Sequence, residues 1–71
     1  MANSQVKVQR TTYGIKVIDA NVGDMIFIYT LDGLLQHSVK ADSKNVDIPL
    51  KKQDVYIIKI GGKTVKFGFS R

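Results

Sequence analysis

Seventy-one residues make one small domain, whose single core contributes no more than roughly 3–5 kcal/mol of net stability, and the lack of cysteine excludes a disulfide brace and a thiolate metal site. Val, Ile, Thr, Tyr and Phe supply 26 of the 71 residues, whereas Glu is absent and Ala occurs three times. That palette suits a pleated surface and offers little to build a long helix. A formal charge of +5, with Lys outnumbering Arg nine to two and only Lys51-Lys52 adjacent among the lysines, reads as a solvated cationic surface.

In chain order, QVKVQR alternates, with Val6 and Val8 on one face, and predicts a half-buried strand. YGIKVID repeats the pattern with Tyr13, Ile15 and Val17 sharing a face and Gly14 marking a bend or bulge. NVGD is a turn. MIFIYTL, Met25 to Leu31, is apolar on both parities and predicts a central strand covered on both sides. Asp32-Gly33 supplies the positive-φ pair of a tight hairpin, LLQHSV is its return strand, and KADSKN is a polar loop.

NVDIPL sets Val46, Ile48 and Leu50 on one face, and Pro49, lacking an N–H, places this strand at a sheet edge. After the polar turn KKQD, VYIIKI points Tyr56, Ile58 and Ile60 one way. Gly61-Gly62 is a second two-residue hairpin signal, and KTVKFGFS closes with Val65, Phe67 and Phe69 opposed to Thr64, Lys66 and Gly68. About seven short strands on short turns predict an all-β fold, a small antiparallel β-sandwich or barrel spanning 1–71, with residues 1–4 outside the folded part.

The chemical inventory points away from catalysis. His37 is the single histidine and has no evident partner, no serine sits in a strand-to-helix nucleophile elbow, and the six Asp fall mostly at turns. No catalytic, metal or cofactor site is therefore expected. No apolar run approaches the roughly 20 residues of a membrane span, and MANSQVKVQR lacks the apolar stretch of a signal peptide. A basic β-barrel that stacks single-stranded nucleic acid on Phe67 and Phe69 is a weaker alternative, because those rings share the face of Val65 and are expected to fill the core. The rings of Tyr29 and Tyr56 are likewise expected to be buried, each hydroxyl reaching a backbone partner.

IYTLDGLLQHSV is similar to the hydrophobic-Tyr-x-x-x-Gly hairpin of the C-terminal sorting domains used by the type IX (Por) secretion system of Bacteroidetes. DIPLKKQDVYIIKIGGKTVKFGFSR resembles the end of those domains, so the likeness spans residues 26–71, and GIKVIDANVGD resembles the shorter lead-in of some members. The resemblance implies an immunoglobulin-like β-sandwich at the end of a longer exported protein, in transit through the periplasm and then at the cell surface. It implies three partners: an upstream cargo domain, an outer-membrane translocon that reads the tail, and a sortase-like peptidase that removes it. The signature positions it implies are Asp32, Gly33, Tyr56, Lys63 and Lys66, with Asp54 where the family carries glycine. The alternative is a structural or interaction sandwich appended to an extracellular enzyme or adhesin. An exposed strand edge also leaves room for an edge-to-edge dimer.

Overall fold

A computed structural model describes residues 7–70. The readings made for residues 1–4, and for Val6 in the first strand, lie outside the described residues. Seven strands follow one another: β1 Lys7–Arg10, β2 Gly14–Ile18, β3 Met25–Thr30, β4 Leu35–Lys40, β5 Val46–Pro49, β6 Asp54–Ile60 and β7 Lys63–Phe69. They form two antiparallel sheets, β1-β2-β5 and β4-β3-β6-β7. Lettered A to G in chain order, the sheets are A-B-E and D-C-F-G, so the fourth strand pairs with the third rather than with the fifth, as it would in the seven-stranded constant-type immunoglobulin division. The all-β expectation holds.

The core lies between the sheets and follows strand parity. Ile15 and Val17 of β2 and Val46 and Ile48 of β5 face Ile26 and Ile28 of β3, Tyr56, Ile58 and Ile60 of β6, and Phe69 of β7, all buried. Val8, Val39, Val65 and Phe67 pack at its margin. Fully burying a branched aliphatic or aromatic side chain contributes about 1.5–3 kcal/mol, so this apolar layer is the main source of stability in a fold without cross-links.

One end of the sandwich is closed by the crossed β2–β3 and β4–β5 loops. Ala20 and Ala41 are buried there, and Ala20 N–H donates to Lys44 O at 2.9 Å, Gly23 N–H to Ala41 O at 2.8 Å and Ala41 N–H to Asp24 O at 2.8 Å. Asp19 leads into this crossing at φ 63, a left-handed conformation that Asp tolerates better than most residues. Pro49 sits in β5, at an edge of its sheet, as its missing N–H requires.

Four details depart from the sequence reading. Tyr13 lies before β2 with its ring exposed, not on the Ile15–Val17 face, because the strand begins only at Gly14. Gly14 marks no bulge: its register is regular, and its role is close approach, since a Cβ there would lie 2.1 Å from Ile48 O and 2.7 Å from Leu50 N. The strand β3 is central yet covered on one side only. Ile26 and Ile28 are buried, while Met25, Phe27 and Tyr29 face outward, because among the described residues no further layer packs against the four-stranded sheet.

The fourth concerns the β3–β4 hairpin, which is not a two-residue turn with both Asp32 and Gly33 at positive φ. Thr30 O accepts from Gly33 N–H at 2.9 Å and Thr30 N–H donates to Leu34 O at 2.9 Å, leaving a three-residue loop in which Gly33 alone is left-handed, at φ 87. A turn followed by a left-handed glycine is the usual three-residue solution. A further bulge places His37 opposite Ile28 but Leu35 opposite Tyr29. By contrast, Gly61-Gly62 is the expected two-residue turn, with φ 50 and 85.

Candidate functional site

The positions implied by the family resemblance divide between the two ends of the larger sheet. Thr30 pairs with Tyr56 and Asp54 with Phe69, so the hairpin carrying Asp32 and Gly33 lies at the same end as Asp54 and Tyr56. Lys63 opens β7 beside the Gly61-Gly62 turn at the opposite end. Lys66 lies between, exposed and opposite Ile57. These six residues are therefore not one cluster.

Several of them have complete structural explanations. Tyr56 is buried in the core, and its hydroxyl donates to Lys52 O at 2.6 Å, four residues upstream. A tyrosine near the start of the sixth strand bonding back to the preceding corner is the tyrosine-corner arrangement of immunoglobulin-like sandwiches. Burial raises its phenol above the ordinary value of 10.0, with the Asp54 carboxylate adding in the same direction. Asp54 is in extended strand and needs no left-handed backbone; its carboxylate accepts from Val55 N–H at 2.7 Å. Gly33 serves the turn. Among the six, Asp32, Lys63 and Lys66 have exposed side chains.

The terminal strand is held from one side and open on the other. β7 pairs with β6 along its whole length, Asp54↔Phe69 to Ile60↔Lys63, and ends the sheet order. Phe69, Phe67 and Val65 turn inward, as the parity of KTVKFGFS requires, so Phe67 and Phe69 form no stacking platform. Arg10 Nη1 donates to Ser70 O at 2.6 Å, tying the end of β1 to the chain just past β7. Beside that contact Arg10, Thr11, Thr12, Tyr13, Phe69 and Ser70 line an open depression.

Edge strands carry protection against unwanted pairing. β7 bears Lys63 and Lys66, β4 bears Lys40, β1 bears Lys7 and Arg10, and β5 bears Pro49. Charged and proline-bearing edges discourage edge-to-edge association with a second, equally basic copy.

A feature missed in the sequence is the outward face of β4-β3-β6-β7. Phe27 and Tyr29, two apart on β3, have ring centroids 6.5 Å apart at 34°. The Lys59 ammonium lies 5.5 Å from the Tyr29 ring centroid, a cation–π contact. Ile57 lies beside Tyr29, with Lys66 beyond it. The outward parity of Phe27, Tyr29 and Lys59 was readable from alternation, but nothing local tells whether a second layer covers them.

His37 is half-buried opposite Ile28, a packed strand position. Among the described residues no three His, Cys, Asp or Glu side chains gather in a metal-binding group. Among the described residues no helix is long and apolar enough to cross a membrane. Comparison with family models, curated proteins and solved structures returned no match.

Proposed function

We propose that this domain is a non-catalytic targeting module, a folded tag at the end of an exported cargo protein that is read by the type IX secretion apparatus. The observation that carries this reading is the terminal hairpin. β7 sits at a sheet edge, fastened by seven register pairs to β6 and by Phe69 in the core, while its outer margin presents Thr64 and Lys66. A rigid, accessible edge strand is what β-augmentation needs: the partner's strand pairs with the main chain, and side chains at alternate positions set specificity. The likeness of residues 26–71 to the sorting domains names the partner class, an outer-membrane translocon followed by a sortase-like peptidase that releases the tail. In this reading Tyr56 and Gly33 maintain the tag and Lys66 is what the partner touches.

The test is a fusion of residues 5–71 behind a periplasm-directed reporter in a bacterium with a working type IX system. Surface display is expected, and Lys66→Ala is expected to reduce it while leaving the melting temperature of the isolated domain unchanged. A reporter that stays in the periplasm with the folded tail attached refutes the sorting role and leaves a structural or interaction sandwich as the reading.

A further inference from the structure

Among the described residues Tyr13 and Val22 are the most exposed large apolar side chains, at 76% and 66%, and stand apart from one another, but three others gather in one place. Leu31, Leu34 and Leu35 have 57%, 62% and 52% of their surface exposed, and all belong to the β3–β4 hairpin. Leu31 lines a shallow depression together with Tyr29, Gly33, Ile57 and Lys59. The bulge that sets Leu35 opposite outward Tyr29 joins this tip to the outward face of the sheet. That face carries Lys59, Lys66 and Lys40, and no acid occupies an outward position on β3, β4, β6 or β7. Asp32, at the tip, is the one acidic residue between Met25 and Lys40.

We propose that this hairpin end is a membrane-surface contact, the three leucines entering the interface of an anionic phospholipid bilayer while Lys59 and Lys66 meet its headgroups. Interfacial binding adds buried apolar area to attraction between basic residues and anionic lipid, and both components are present side by side here. A second copy is a poor occupant, because its own Lys40, Lys59 and Lys66 would face these. Single-stranded nucleic acid is also a poor fit. The exposed groups are aliphatic and have no face for a base, and the Tyr29 ring is already met by the Lys59 ammonium. Protein interfaces anchor on Trp, Tyr and Arg, with Leu under-represented, whereas leucine beside lysine matches a lipid boundary. The proposal stands independently of the sorting role.

The experiment is co-sedimentation of the full chain with vesicles of phosphatidylcholine plus phosphatidylglycerol, against vesicles of phosphatidylcholine alone. Binding is expected only with the anionic vesicles and is expected to weaken as salt rises. The double variant Leu31→Ser, Leu34→Ser is expected to bind at least about tenfold more weakly, Lys59→Gln with Lys66→Gln similarly, and Asp32→Asn more tightly than the wild type. Val22→Ser, exposed in a loop at the other end of β3, is the control and is expected to bind as the wild type does. A readout that needs no folding comparison is quenching of tyrosine fluorescence by brominated lipid, which Tyr29→Phe should diminish. No sedimentation with anionic vesicles overturns the proposal. So does sedimentation indifferent to the two leucines, as does stronger binding of an oligothymidylate or of polyglutamate than of the vesicles at equal salt.

Discussion

Replacing Gly14 with alanine tests the closest contact in the fold. Gly14 is the first residue of β2 and pairs with Pro49 of β5. An added Cβ would stand 2.1 Å from Ile48 O, 2.7 Å from Leu50 N and 2.9 Å from Pro49 Cα, all main-chain atoms that no rotamer change can move. Reaching even 3.0 Å from the carbonyl requires a separation of roughly 0.9 Å between the strands. Pro49 has no N–H, so the ladder here leans on the Leu50 N–H bond to Tyr13 O, 2.9 Å long, and that bond is stretched first. Overpacking of this kind costs about 1–3 kcal/mol, against a total near 4 kcal/mol for a core of this size. At the upper end, about 1 kcal/mol remains, and the unfolded fraction rises from roughly 0.1% to roughly 15%. The companion variant is Gly68→Ala on the exposed side of β7, where a Cβ meets nothing within 4 Å. That change should be neutral or stabilise by up to about 1 kcal/mol, since interior glycine weakens a strand. Urea unfolding followed by circular dichroism and tyrosine emission would measure both. If Gly14→Ala lies within about 0.5 kcal/mol of the wild type, the ordinary scatter of surface substitutions, the close-approach argument is wrong.

Three further outcomes follow from the same geometry. Tyr56→Phe keeps the buried ring but removes the hydroxyl bond to Lys52 O, and should cost about 1 kcal/mol, or roughly 4–8 °C in Tm for a domain of this size. A Tm unchanged by that substitution would show the corner bond to be dispensable. The same hydroxyl makes the wild type sensitive to alkali: its folded pKa is raised above 10.0, so the stability it contributes is complete below pH 10 and declines as pH rises through the folded value. Thermal melts across this range should show that extra decline in the wild type and not in Tyr56→Phe, and Asp54→Asn, by removing the smaller of the two causes, should move it to lower pH. At the edge of the larger sheet, Lys66→Val should promote self-association detectable by sedimentation velocity, while the wild type sediments as a monomer; a concentration-dependent dimer of the wild type would refute the protective role assigned to the edge charges.

The candidate site was legible only in part. Alternation in KTVKFGFS placed Val65, Phe67 and Phe69 inward and Lys66 outward, and the structure agrees. The apolar run around Tyr56 gave its buried ring and backbone-bonded hydroxyl correctly, and the bond to Lys52 O explains its place without a signature role. The same expectation fails for Tyr29, whose ring faces outward. The cationic, leucine-tipped face was hidden because MIFIYTL has apolar residues on both parities. Such a run reads the same whether its second side is packed or bare.

What the sequence by itself determined is therefore the set of strands and the direction of their side chains. Alternation is a covalent property of the pleated chain, so VYIIKI and NVDIPL declared their inner faces without reference to any partner. Gly61-Gly62 declared its turn for an equally local reason, two consecutive positive-φ positions. Only the tertiary structure decided which strands became neighbours, and with that which faces stayed bare. The approach of Ile48 O to Gly14 joins residues thirty-four positions apart, and the three-residue hairpin with its bulge shifts Leu35 opposite Tyr29. Pairing and coverage are properties of two segments together, and neither segment carries them alone.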